Sequence, residues 1–198
     1  MNRYTDLLRQ FAETRSEDAF AEVVRGHMTL VYFAALRRTN GDVHLASDIS
    51  QEVFAKLARD AVKLSRHATL TAWLYTTTRN AAIDAMRGAQ RRKIREKEAH
   101  TMHQLNETSV NWDRVGPVLD EALDRLGATD RDAVLLRFFD GLSFSEIGRA
   151  LRLTEESARK RVDRALSKLQ AHLARQDITS STTALATVLL TQSARAVP

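Results

Sequence analysis

The sequence predicts an all-α protein: two small helical domains joined by a linker, the second ending in a helix-turn-helix. Three observations lead there. Gly and Pro are scarce, 7 and 2 among 198 residues, and no segment shows the two-residue alternation or hairpin pattern of strands. Apolar residues recur instead at helical spacing through most of the chain. Hydrophobic residues make up 43% of it, enough for two modest cores at this length.

The elements follow in order. Ser16 is placed to cap a helix whose apolar stripe is Phe20, Val23, Val24, Met28, Val31 and Ala35, ended by Asn40-Gly41. The next helix carries Leu45, Ile49, Val53, Phe54 and Leu57, with Asp48, Gln51, Glu52 and Lys56 largely off that stripe. A polar break spans 63–69. A long helix then starts at Leu70, with Trp73, Leu74, Thr77 and Ala81 on or near its inner face and dense charge beyond Met86. Trp73 reads as core, whereas Tyr75 points elsewhere and is the better candidate for stacking on bases. His100 to Arg114 lacks periodicity and reads as a linker.

Gly116-Pro117 opens the second unit, because Pro suits the first turn of a helix. Val118, Leu119, Ala122, Leu123 and Leu126 form that helix's stripe, and Gly127 ends it. Thr129 is placed to cap the next helix, which closes on Phe138-Phe139 before an Asp140-Gly141 turn. Ser143 and Glu146 spell a capping box. Thr154 caps the last helix, with Glu155 and Glu156 in a first turn whose dipole favours acids. The tail from Asp177 is rich in Thr, Ser and Ala and is expected to be weakly ordered.

Composition narrows the function. There is no Cys, so no disulfide framework and no thiolate metal site; this suits a reducing cytoplasm. A net charge of +5 and a pI near 9.9 suit a polyanionic partner. The N-terminus mixes charges and lacks the apolar core of a signal peptide. No apolar run approaches the roughly 18 residues of a membrane span. No H-E-x-x-H, Gly-rich phosphate loop or Cys nucleophile supports an enzyme. His100 and His103 lie three apart with no convincing third ligand, so neither a metal nor another cofactor is expected.

Between the last two helices lie only Arg152, Leu153 and Thr154, a link that forces a steep crossing. Ala158, Val162, Ala165, Leu166 and Leu169 form the final helix's inward stripe. Glu156, Ser157, Arg159, Lys160, Arg161 and Arg164 face outward. Such a face suits guanine edges and phosphates, but spacing alone leaves a solvated bundle helix equally open.

Resemblance separates the two. The stretch "DEALDRLGATDRDAVLLRFFDGLSFSEIGRALRLTEESARKRVDRALSKL" resembles the promoter-reading C-terminal domain of bacterial RNA polymerase sigma factors. Upstream, "ASDISQEVFAKLA" resembles their clamp-gripping segment and "TAWLYTTTRNAAIDAMRGAQRR" their promoter-melting segment. Both motifs, in this order and without further sigma domains, are similar to the two-domain extracytoplasmic-function (ECF) group, over roughly Ala19 to His172.

The resemblance implies domains at 1–99 and 115–174, a linker at 100–114 and a tail at 175–198. It implies a cytoplasmic transcription factor that binds core RNA polymerase at its clamp and flap regions, binds promoter DNA, and meets an anti-sigma factor. Asp48, Gln51, Glu52 and Lys56 would meet the clamp. Lys63, Arg66, His67, Tyr75, Thr76, Arg79, Asn80, Arg87, Arg91 and Arg92 would recognise and melt the −10 element. Arg152, Thr154, Glu156, Ser157, Arg159, Lys160, Arg161 and Arg164 would read the −35 element. Where relatives commonly have Gly, this chain has Arg152; if that position needs a positive φ, the side chain costs about 1 kcal/mol. The alternatives are a stand-alone helix-turn-helix regulator and a helical interaction module.

Overall fold

The computed structural model describes residues 3–66, 69–97 and 112–176, and among them there is no strand. The helices are α1 (Arg3–Thr14), α2 (Glu17–Arg38), α3 (Val43–Arg59), α4 (Ala61–Leu64), α5 (Leu70–Lys97), α6 (Trp112–Arg125), α7 (Ala128–Phe138), α8 (Phe144–Leu151) and α9 (Glu155–Ala174).

The first unit is α1 to α5. Ser16 caps α2 as expected, its Oγ accepting the Ala19 N–H at 3.3 Å. Asn40 and Gly41, at φ +53° and +83°, turn the chain out of α2. Asp42 then caps α3 by accepting the Leu45 N–H at 2.9 Å. Val23, Val31, Ile49, Val53, Leu57, Leu70 and Leu74 are buried in one core, with Trp73 packed on it half-exposed.

Two helices here were not expected. Tyr4, Leu7, Leu8 and Phe11 recur at helical spacing in α1, which buries Leu8 and sets the Phe11 ring 4.6 Å from that of Phe20. The Tyr4 ring also lies where a side chain at position 26 would be, so Gly26 leaves it room. The polar break holds α4, whose Ala61 and Leu64 are buried while Lys63 is exposed. One buried residue at each end is enough to fold this short turn onto α1.

The second unit differs from expectation at two boundaries. α6 starts at Trp112 rather than at Pro117. A proline inside a helix removes one i→i−4 bond, and here the helix continues through it. The cap of α7 is Gly127, extended at ψ 148°, and not Thr129, which lies inside the first turn. Gly127 is thus a start as well as a stop: its carbonyl accepts the Arg131 N–H at 3.0 Å.

The helix-turn-helix forms as expected. Ser143 and Glu146 make both arms of the capping box: the Ser143 N–H donates to Glu146 Oε2 at 2.8 Å and the Glu146 N–H to Ser143 Oγ at 3.3 Å. These bonds from Ser143 hold the Glu146 carboxyl below its usual pKa. Arg152 closes α8 in the left-handed region, φ +57° and ψ +45°. Thr154 caps α9, accepting the Ser157 N–H at 3.1 Å. The Leu153 N–H returns to the Gly148 carbonyl at 2.7 Å, and a Cβ on Gly148 would lie 2.8 Å from the Leu153 oxygen. The turn therefore needs Gly at 148 and tolerates Arg at 152.

The units are docked. The core of the second, built on Leu123, Leu135, Ile147, Val162 and Leu169, continues into Leu30, Ala34, Ala72 and Tyr75 of the first. Ion pairs surround this junction. Arg37 meets Asp120, Arg38 meets Asp124, and Arg79 meets Asp124, at 2.6, 2.9 and 2.9 Å.

Candidate nucleic-acid interface

Three surfaces carry the expected residues. The first is the outer face of α9. Its stripe of Ala158, Val162, Ala165, Leu166 and Leu169 is buried, which turns Glu156, Arg159, Lys160 and Arg164 outward. Arg152 and Thr154 are exposed beside them, and Ser157 is half-buried.

The exposed cations are not equivalent. Lys160 pairs with Glu156 one turn back at 2.6 Å. The Arg159 guanidinium lies 4.8 Å over the Phe144 ring, whose centroid is also 4.8 Å from the Arg137 guanidinium. Arg161 departs from expectation. It turns back to α7 and donates to Asp130 Oδ1 at 2.9 Å, while Lys168 holds the other oxygen at 2.9 Å. Burial raises the Asp130 pKa, but the hydrogen bonds from Lys168 and Arg161 outweigh it and the net shift is downward. Arg161 therefore brackets two helices here instead of pointing outward with its neighbours.

The second surface lies along α5. Lys63, Arg66, Asn80 and Arg87 are exposed, and Thr76 and Arg79 are half-buried. His67 lies outside the described residues, as do the side chains of Arg91 and Arg92. The linker histidines and the tail from Asp177 also lie outside them.

Tyr75 is a correction. Expected to point away from the core, it is 1% exposed, covered by the second unit. Its hydroxyl accepts from Arg38 Nη2 at 2.9 Å and lies 3.4 Å from Asp124 Oδ1. Burial first, and the Asp120 charge next, push its pKa well up, so it stays neutral. Thr71, one turn before it, is also covered and donates to Asp140 Oδ1 at 2.5 Å.

The third surface is α3. Asp48, Gln51, Glu52 and Lys56 are all exposed on it, as their spacing requires. They do not all face the same way. Gln51 borders an apolar groove between α2 and α3 that Val24, Met28, Tyr32, Ser50 and Phe54 line. Glu52 and Lys56 border a smaller polar pocket against α5, with Thr77, Asn80 and Asp84. Residue patterning found Gln51 at the edge of the groove and missed its apolar floor, because floor residues share the spacing of core residues.

Also missed were Arg37, Arg38, Asp120, Asp124, Arg137 and Phe144. The Arg37-Arg38 pair is visible in the sequence, but a pair of cations in a helix's last turn has an ordinary reading there.

Comparison with known proteins places these surfaces in a family context. Residues 23–92 match the Sigma-70 region 2 model and residues 122–171 the Sigma-70 region 4 model. The ECF RNA polymerase sigma factor SigE of Mycolicibacterium smegmatis is 32% identical over 159 residues, 78% of this chain; the chain spans 61% of that relative's length. The RNA polymerase sigma factor CarQ of Myxococcus xanthus is 31% identical over 162 residues, covering 78% of this chain and 89% of CarQ. Among solved structures, CnrH in complex with the cytosolic domain of CnrY is similar at TM-score 0.46 and 20% identity, over 88% of this chain and 99% of that one.

Proposed function

The chain belongs to the extracytoplasmic-function group of RNA polymerase sigma factors, and from that premise we propose how its surfaces divide the work of starting transcription. The unit spanning 1–99 binds core polymerase and melts the −10 element. The unit at 115–174 reads the −35 element, and 100–114 links them. The protein works where polymerase works, in the cytoplasm, and carries out no bond chemistry itself. Among the described residues no helix is long and apolar enough to cross a membrane.

The observation that carries this reading is the pair of family segments in order, each presenting the surface its task needs. For duplex reading, α9 presents exposed Arg159, Lys160 and Arg164 from a capped, short-linked second helix. The N-terminal part of such a helix enters the major groove, where Arg pairs with guanine. For polymerase, the groove between α2 and α3 offers an apolar floor edged by Gln51, with Asp48 and Glu52 exposed elsewhere on α3. A helix of the clamp fits that seat, and so does a segment of an anti-sigma factor competing for it. For strand melting, α5 presents Asn80 and Arg87 in the open, with Arg79 beside them. Single strands are held by such basic, hydrogen-bonding faces.

Run-off transcription with purified core polymerase on a genomic promoter library tests the whole reading. Added initiation at discrete sites is expected only with this chain present. If no initiation is added, the sigma assignment of function fails. Tight, polymerase-independent duplex binding would instead favour a stand-alone regulator.

A further inference from the structure

We propose that Arg37, Arg38 and Arg79 form an anion site for phosphates of the melted promoter strand, filled by the chain's own Asp120 and Asp124 while the two units are docked. The proposal rests on the sigma-factor reading above and adds to it a binding site, its ligand class and its resting occupant.

The site is assembled from two helices of the first unit. Arg37 and Arg38 are the last two residues of α2, and Arg79 lies on α5, one turn beyond Tyr75. The groups filling it come from α6 of the second unit. Arg37 grips Asp120 with two parallel bonds, Nε to Oδ2 at 2.6 Å and Nη2 to Oδ1 at 3.0 Å. Arg38 grips Asp124 in the same way, Nη1 to Oδ2 at 2.9 Å and Nη2 to Oδ1 at 3.1 Å. A guanidinium fork that accepts two carboxylate oxygens accepts two phosphate oxygens with the same geometry. The carboxylates thus occupy positions that strand phosphates can take.

The present occupants leave the site incompletely satisfied. Asp124 alone serves Arg38, Arg79 and the Tyr75 hydroxyl. Arg79 Nε is 2.9 Å from Asp124 Oδ2 yet makes no hydrogen bond, so the pair is close but misaligned. Arg38 Nε is buried with no hydrogen-bond partner among the described residues. Among the described residues, three guanidinium groups meet two carboxylates here. A strand brings several anionic groups in a row and can serve donors that two fixed aspartates do not.

Energetics favour exchange over simple release. Asp120 is 2% exposed, so separating the units without a replacement gives up these dry bidentate ion pairs and leaves the arginines with water alone. Swapping one anion for another avoids that cost. Two fates follow for the same arginines: they hold the units together at rest, and they hold the strand once polymerase keeps the units apart. Docking also covers Tyr75 and Thr71, so the face around Arg79 is open to a strand only when α6 leaves it.

The test uses the full chain and a fluorescein-labelled single-stranded oligonucleotide spanning the −10 region of a promoter mapped by run-off transcription. The double variant D120N/D124N keeps the side-chain shapes and removes both charges. It is expected to bind the oligonucleotide at least about tenfold more tightly than the parent at equal salt, with a salt dependence typical of phosphate contacts. R37Q/R38Q on that background is expected to abolish the gain, and R37K/R38K, which keeps charge but loses the fork, to retain only part of it. Helix content by circular dichroism checks that every variant folds. If D120N/D124N binds no more tightly, or if R37Q/R38Q keeps the full gain, the anion site is wrong. Absence of run-off initiation by the parent chain would sink the underlying reading; normal initiation with no oligonucleotide gain would sink only this site.

Discussion

At the scale of single residues, the cations of α9 sort by what already holds them. Lys160 is neutralised by Glu156 and Arg161 by Asp130, whereas Arg159 is held by the Phe144 ring and keeps its full charge for DNA. A cation over an aromatic face gains about 0.5–1 kcal/mol at an exposed site. That is enough to bias one rotamer without competing with a guanine. Arg159→Ala is therefore expected to weaken binding to a −35 duplex by about 1–3 kcal/mol, the range for one good base contact, and Lys160→Ala by less. Fluorescence anisotropy on the cognate duplex and on one with a changed −35 measures both. Equal losses for the two variants would contradict the sorting. Arg152 supports a second prediction. Its φ of +57° is left-handed, a geometry the sequence reading had left open. Arg152→Gly relieves that strain and is expected to raise unfolding stability by about 0.5–1 kcal/mol, less any entropy Gly costs in the unfolded chain. An unchanged or lower thermal midpoint would show the Arg152 side chain making a contact worth more than the strain.

At the scale of elements, the legible parts were those whose instructions are local. Ser16, Ser143 and Thr154 sit within three residues of the N–H groups they cap, so their helices could be placed to the residue. Boundaries set from elsewhere were misplaced. The start of α7 is one: what that first turn holds is Asp130, and its partners Arg161 and Lys168 lie more than thirty residues on. The same distance hid the role of Arg161, which spacing put on the outer face. Tyr75 was misread for the same kind of reason, because its cover comes from the second unit and nothing near it in sequence marks that face as buried. The bracket gives the element-scale prediction. Asp130→Asn leaves two cations without their carboxylate and is expected to cost about 1–3 kcal/mol. Arg161→Ala should lower the melting temperature in the same direction, with a smaller effect on −35 affinity than Arg159→Ala. Thermal unfolding followed at 222 nm, with anisotropy alongside, separates the two roles. Loss of −35 affinity by Arg161→Ala with an unchanged melting temperature would return that residue to the groove.

At the scale of the whole molecule, the junction between units includes a buried histidine whose protonation should register in stability. His27 is 2% exposed beneath Tyr4, whose ring centroid lies 4.5 Å away. Its Nδ1 is 2.9 Å from the Val23 carbonyl oxygen and its Nε2 3.3 Å from Thr71 Oγ1, which in turn donates to Asp140 of the second unit. The nearest opposite charge, Asp140, stands 3.9 Å from Nε2. Burial lowers the His27 pKa, and neither Asp140 nor the Val23 carbonyl offsets it fully. The sign follows directly. Above the unfolded value of 6.5, His27 is neutral in both states and costs nothing. Below it, the unfolded chain takes a proton that the docked chain resists, so stability is lost as pH falls toward the lower folded pKa. Urea unfolding between about pH 8 and about pH 5.5 is therefore expected to show a plateau and then a decline on the acid side. His27→Gln should flatten the part of that decline due to this residue. Stability that instead rises on acidification, and stops rising in His27→Gln, would mean that the Asp140 charge outweighs burial. The junction would then be held by a protonated His27, and acid would fasten the units rather than loosen them.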